Sequence, residues 1–473
     1  MATIAIRTLK RARGIMPSED VSESEDIDRT DTTSLAAVAA AHYQAGRLAD
    51  AEAAYRTALT AEPGNPAVTQ NLGVVAAARG RYRDAIALFD DAITLRPRSV
   101  SAHYNRALAL LSLGERRGAI DGLSRVCALR PEHYDAHRAL GFLRLAEGER
   151  GRALDHFART YELQRGDDRA NLAGKSLTHA TRDKLLHDAE QFRFLAASKR
   201  DGQRFAALAR VYEDVAKDFP EQLEKLSDRQ IERLGDDYNS PINLRAAPEV
   251  GANAINARHD VEALIDGFRA NPAGAIYLDD LLAPEALTRL QAFLLESTIW
   301  HDFSHIGGFV ASYLEDGLAC PLVLQIADEI RNAFAELLAG HPLSQAWAFK
   351  GLKPSSTIDV HADDGAISLN LWITPTAANL NPECGGMIIG LVPPPEDWRM
   401  KDYGADQGRI VSFLEQNPHG RLKAPYRENR SVLFQSRLFH WSDAPEFAPG
   451  YENHRINLTF IYGRDGTAEF HRD

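Results

Sequence analysis

The stretch VHADDGAISLNLW, Val360–Trp372, sets His361 and Asp363 two residues apart, just ahead of an alternating apolar run. In extended backbone, residues two apart point to the same side. An imidazole and a carboxylate aimed together at the mouth of a strand either cap a polar turn or hold a metal ion. The His-x-Asp pattern does not choose between them, because it recurs at His133–Asp135 and His471–Asp473. His133 follows Pro131 in a helical region and reads as a cap, and His471 has no strand after it. Asp364 rivals Asp363, but alternation turns it the other way. A second imidazole arrives with SVLFQSRLFHWSD, a strand and a short turn leading to His440.

Two imidazoles and one carboxylate form the facial set of ligands that holds non-haem ferrous iron and leaves three positions open. Two of these suit a 2-oxo acid co-substrate and the third suits O2. Such a co-substrate carries a second carboxylate, which needs a cation inside the fold. Arg455 opens the strand-like RINLTFIYG, and its planar guanidinium can grip a carboxylate through two hydrogen bonds. Asn457 and Thr459 share its strand face and can add hydrogen bonds; Arg464, beyond the strand, is a weaker rival. Asp359, two residues before His361, is a candidate to orient that imidazole. Asn370 and Trp372 share one face, either lining the co-substrate pocket or packing the core. His419 reads as a turn residue, and alternation points His454 away from the interior.

The elements that must position these groups are short strands. AIYLDDLL leads into the helix PEALTRLQAFLL, and IADEIRNAFAELL is a further helix. AWAFKGL, STIDVHA, AISLNLWIT, GGMIIGLV, SVLFQS and RINLTFIYG follow, a pattern expected of a sandwich or jelly roll. The excursion from Pro393 to Asn429 is long for a loop and contains the helical GRIVSFLEQ. The order His-x-Asp, strand, Gly-Gly strand, strand-His, Arg-strand resembles the Fe(II)/2-oxoglutarate-dependent dioxygenases, in particular the prolyl-hydroxylase-like branch. The resemblance covers roughly residues 270–473. It implies a double-stranded β-helix with flanking helices, Fe(II) on His361, Asp363 and His440, and 2-oxoglutarate on Arg455. It also implies oxidative decarboxylation of 2-oxoglutarate by O2 coupled to hydroxylation of a C–H bond.

The first half has a different texture. Gly46, Gly80, Gly114 and Gly148 are 34 residues apart, as are Ala51, Ala85, Ala119 and Ala153. Pro63, Pro97 and Pro131 keep the step, and Tyr55, Phe89, Leu123 and Phe157 fill one bulky slot. A fixed period of this kind marks a repeat of helix pairs. Glycine ends the first helix, alanine lets the second approach closely, the bulky residue four positions on fills the gap, and proline stops the unit. With Gly73, Ala85, Phe89, Ala92 and Pro97 in its second unit, the array resembles the tetratricopeptide repeat over roughly residues 32–165. That resemblance implies a solenoid with a groove for a protein or peptide partner. Arg165 stands where the fourth proline belongs.

A chain of 473 residues exceeds one core and is expected to form several domains. The expected division is a flexible tail at 1–33, repeats at 34–165, a helical capping region at 166–265 and the oxygenase domain at 266–473. Within the capping region, His187 and Asp188 read as polar-face or interface residues. A net charge of −12 argues against nucleic-acid or anionic-membrane binding. Three widely spaced cysteines without paired spacing fit a reducing, cytoplasmic compartment. The expected function is thus a dioxygenase acting as a hydroxylase on a protein or peptide presented by the repeat groove. Two alternatives stand beside it: an adaptor with a catalytically inactive oxygenase-like fold, and an oxygenase acting on a small molecule.

Overall fold

The computed structural model describes residues 30–166, 175–198, 201–271, 273–305, 308–395, 398, 406–418 and 420–463. Most of the expected tail, His419, Arg464 and the His471–Asp473 pair lie outside these residues. Contacts divide the chain into two compact units, the first ending at Leu143 and the second running from Arg144.

The first unit is a run of paired helices. It comprises α1 (Thr30–Gln44), α2 (Leu48–Ala61), α3 (Pro66–Ala78), α4 (Tyr82–Leu95), α5 (Val100–Ser112), α6 (Arg116–Leu129) and the start of α7 (Tyr134–Ala146). The repeating residues have the physical roles their spacing implies. Gly46, Gly80 and Gly114 adopt φ of 74°, 76° and 76°, a left-handed conformation that costs glycine least. Ala51, Ala85 and Ala119 are fully buried, and so are Phe89 and Leu123 beside them. A Cβ at Gly73 would lie 2.7 Å from the Phe89 ring, so the small and the bulky residue are two halves of one contact. Asn65 and Ser99 cap α3 and α5 by accepting main-chain N–H groups. His133 does the same for α7, its Nδ1 accepting from the Ala136 amide at 3.2 Å.

One carboxylate gathers three arginines in this unit. Glu52 accepts hydrogen bonds from Arg56 at 3.0 Å, from Arg81 at 2.6 Å and from Arg79. Burial raises its proton affinity, but the bonds from Arg81, Arg56 and Arg79 outweigh that and hold it at about 2.

The second unit opens with the rest of α7 and with α8 (Arg150–Arg165). Arg165 explains its own departure from the repeat pattern. Its side chain is buried and donates to Asp316 through Nε at 2.7 Å and Nη2 at 2.5 Å. Tyr161 adds a hydrogen bond to His301 at 2.8 Å. Next come β1 (His179–Ala180), α9 (Arg182–Ser198), α10 (Gly202–Ala216), β2 (Glu224–Lys225) and α11 (Asp228–Leu234). Phe192, Phe205 and Tyr212 join α9 to α10 in a buried cluster. His187 and Asp188 are interface residues. Asp188 accepts from Lys184 at 2.6 Å and lies 3.0 Å from His187 Nδ1, while the His187 ring sits 5.7 Å from that of Tyr451.

The sheets follow. The elements are α12 (Val261–Ala270), β3 (Ala275–Leu278), α13 (Pro284–Glu296), β4 (Asp302–His305), β5 (Phe309–Tyr313), α14 (Pro321–Ala333), β6 (Leu343–Gly351), β7 (Ile367–Trp372) and β8 (Met387–Gly390). They continue with α15 (Gln407–Gln416), β9 (Arg421–Ala424), β10 (Ser431–Gln435), β11 (His440–Ser442) and β12 (Ile456–Tyr462). One sheet has seven strands in the order β3-β10-β7-β12-β6-β5-β4, and a second has three in the order β11-β8-β9. Every pairing is antiparallel. Trp372, Val432 and Phe434 of the larger sheet share one apolar core with Met387, Ile389 and Ala424 of the smaller. Among the described residues, no helix is long and apolar enough to cross a membrane.

STIDVHA, expected as a strand, does not become a regular one. Ile358 exchanges hydrogen bonds with Ser442, and His361 exchanges them with His440. Three steps on one side therefore span two on the other. The extra residue makes a bulge, which breaks the ladder and re-aims the side chain after it.

Because Glu52 binds its proton far more weakly folded than at its ordinary value of 4.5, it stabilises the fold above about pH 4.5 and loses that contribution as pH falls towards 2. Glu52→Gln is expected to cost about 1 kcal/mol at pH 7 and almost nothing near pH 2. Thermal melts of both chains across that range check this.

Candidate metal centre

The bulge places His361 beside His440. The His361 amide donates to the His440 carbonyl at 3.0 Å, and the His440 amide donates back at 2.8 Å. The two rings end up 4.2 Å apart between centroids. Asp363 follows two residues after His361, its amide tied to the Ser436 carbonyl at 2.9 Å. Its carboxylate comes within 3.8 Å of His361 Nε2 and 3.7 Å of His440 Nε2. One donor atom from each of the three residues lies within 4.8 Å of the others.

The tautomers are set by the backbone. His361 Nδ1 lies 2.8 Å from the Asp359 carbonyl oxygen and His440 Nδ1 lies 2.9 Å from that of Leu438. A carbonyl only accepts, so each Nδ1 carries a proton, and in the neutral form of either ring it is Nε2 that presents the lone pair. Asp359 thus orients His361 through its main chain, where the sequence pointed to its carboxylate. Desolvation and the neighbouring His440, opposed by Asp363, hold His361 down at about 4, so the imidazole is neutral near pH 7. Ser368 Oγ lies 2.8 Å from both Asp363 Oδ2 and Ser436 Oγ, and its proton suits the carboxylate. Sequence reasoning missed Ser368, although it precedes Asn370 and Trp372 on the same alternating face.

Arg455 immediately precedes β12 and is buried. It donates to Ser442 Oγ at 3.4 Å and to the Gly386 carbonyl at 3.2 Å, and its Nε has no hydrogen-bond partner. Among the described residues, no carboxylate lies within ion-pair distance of it. Burial lowers its proton affinity to about 10, with Tyr426 and Asp443 opposing. Ser442 stands two residues after His440 on β11, about 7 Å along an extended strand. Asn457 and Thr459 are buried on β12 and meet Asn370 of β7 across the sheet. The Asn457 Oδ1 also lacks a partner. Trp372 packs in the core shared by the sheets. His454 turns away, its Nε2 lying 3.2 Å from Glu190 of α9.

The tetratricopeptide repeat family matches residues 37–100 and 71–126. No curated protein matches the chain. Among solved structures, the chain is similar to a MamA protein, at 22% identity over 39% of this chain and 89% of that one, with a TM-score of 0.27. It is similar to the first tetratricopeptide domain of Spaghetti bound to an HSP90 peptide, at 20% identity over 26% of this chain and 99% of that one, with a TM-score of 0.25. A third is an O-GlcNAc transferase of Thermobaculum terrenum, at 26% identity over 29% of this chain and 28% of that one, with a TM-score of 0.26. The N-terminal region is a helical array of tetratricopeptide type. The family match ends at residue 126, ahead of the sheets.

Ser368→Ala is expected to weaken Co(II) binding tenfold to a hundredfold by releasing the Asp363 carboxylate. His454→Ala is expected to leave it unchanged. Titrations followed by the visible Co(II) absorption compare the two.

Proposed function

We propose that the second unit is an Fe(II)- and 2-oxoglutarate-dependent dioxygenase, with the repeat array presenting a protein or peptide for hydroxylation. One observation carries the reading: two Nε2 lone pairs and one carboxylate converge from distant parts of the chain, each imidazole already held in the tautomer a metal requires. That donor set fits ferrous iron, with imidazole and carboxylate on one side and the remaining positions open. Two facing antiparallel sheets with a shared core support a double-stranded β-helix as the scaffold.

The chain's own groups divide the work. His361, Asp363 and His440 would hold the metal. Arg455 would take the distal carboxylate of 2-oxoglutarate, since a buried guanidinium with an unused N–H favours an anion. Asn457 and Thr459 would complete the polar lining beside it. Ser442 links the two ends, touching Arg455 from the strand that begins with His440. When bound, iron with 2-oxoglutarate and O2 supplies the oxidising power for C–H hydroxylation, releasing succinate and CO2. The protein's part is to orient these partners and keep stray reductants out.

A second reading is favoured by the family match, which falls wholly on the repeats. In it the chain is an adaptor, and the sheets are a docking module without catalysis. Succinate formation separates the two. With Fe(II) and 2-oxoglutarate, the wild-type chain is expected to release succinate at least about tenfold faster than His361→Ala, even without a second substrate. Arg455→Gln is expected to raise the KM for 2-oxoglutarate by about tenfold to a hundredfold. Equal succinate from wild type and His361→Ala, together with no Fe(II) or Co(II) binding that depends on His440, would leave the adaptor.

A further inference from the structure

We infer that α15, the helix of the long excursion, is the positioning element of the metal centre, and that metal binding and the order of this helix are coupled. The inference rests on the metal-site reading above. Its basis is what the helix touches. Ile410 and Leu414 lie one turn apart on one face and pack in a buried cluster with Ala362 and Phe439. Ala362 is the residue between His361 and Asp363, so its methyl points to the side opposite both ligands. Phe439 immediately precedes His440. One helical face therefore rests on the back of both ligand-bearing segments at once.

The fit is close. The Phe413 ring meets that of Phe439 edge-on, at 5.8 Å between centroids and 69° between planes. Trp398 lies 5.4 Å from Phe413, with the Arg409 guanidinium 3.9 Å over its own ring. Behind Leu414 stands Gly390 of β8, whose amide donates to the Phe439 carbonyl at 2.8 Å. A Cβ there would lie 2.9 Å from Leu414 Cδ2, so Leu414 is seated against bare backbone.

This support matters because the His361 segment is tied by scattered bonds around a bulge instead of a continuous ladder. A ligand set needs its donors held within about 0.5 Å. Side-chain packing from α15 supplies the constraint that the missing ladder does not. Coupling of this kind is reciprocal: if the helix holds the donors, an ion that pulls the donors together must also hold the helix.

The experiment uses the full chain and Co(II) alone as the ligand. Co(II) is expected to slow amide hydrogen exchange across residues 407–416. Leu414→Ala is expected to weaken Co(II) binding about tenfold and shift its visible bands, and Leu414→Met, which keeps the volume, to restore both. Gly390→Ala, which presses on Leu414 from behind, is expected to weaken binding as well. Leu338→Ala, fully buried elsewhere in the same unit, controls for general destabilisation and is expected to bind Co(II) normally. Unchanged affinity in both Leu414→Ala and Gly390→Ala, or unchanged exchange over 407–416, overturns the inference while leaving the metal site standing. If Leu414→Ala does not fold, Gly390→Ala and the exchange measurement decide. A wild-type chain that binds no Co(II) overturns the metal-site reading, and this inference with it.

Discussion

Two backbone hydrogen bonds, exchanged between His361 and His440, hold the candidate centre together. They join segments that are far apart in sequence, and they do so at the residues whose rings must meet. All the other geometry is arranged around them. The bulge next to Ile358 re-aims His361, main-chain carbonyls fix both rings, and Ser368 holds the carboxylate. Burial, and after it the second imidazole, lower the proton affinity of His361. Two ring nitrogens and a carboxyl oxygen facing one small space make a donor set suited to a cation.

The buried cations of the second unit make an instructive contrast. Arg165 is matched by Asp316 in a two-bond pair, as expected for a guanidinium that must leave water. Among the described residues the Lys350 Nζ has no hydrogen-bond partner, but it lies 3.1 Å from the centroid of the Tyr451 ring, and burial drives it towards the neutral form. Arg455 has neither remedy. Among the described residues it keeps an unused N–H and donates to a hydroxyl and a carbonyl, and it stays charged at neutral pH.

The repeat half could be read from spacing because each column there has one local job, such as a left-handed turn at Gly80 or a close approach at Ala85. The meeting of His361 and Asp363 was legible for a related reason: alternation along an extended segment is enough to pair the two side chains. Less could be read where tertiary contacts decide. STIDVHA carries strand-like residues, yet its extra residue against β11 turns it into a bulge, which no pattern in the segment announces. The partner of His361 Nδ1 is a carbonyl, and any residue can supply one, so the conspicuous Asp359 side chain misdirects. Arg165 looks like a lapse in the repeat until Asp316, distant in sequence, is seen facing it.

That pairing also governs how the chain can be cut. The repeat ends by its sequence at Arg165, and a truncation at that point would seem to release an intact sheet domain. It would instead leave the Asp316 side chain without the two hydrogen bonds from Arg165, and His301 without the Tyr161 hydroxyl. The last helix of the array is built into its neighbour, so a chain divided for separate study, or recombined with other modules, has to keep α8 with the sheets.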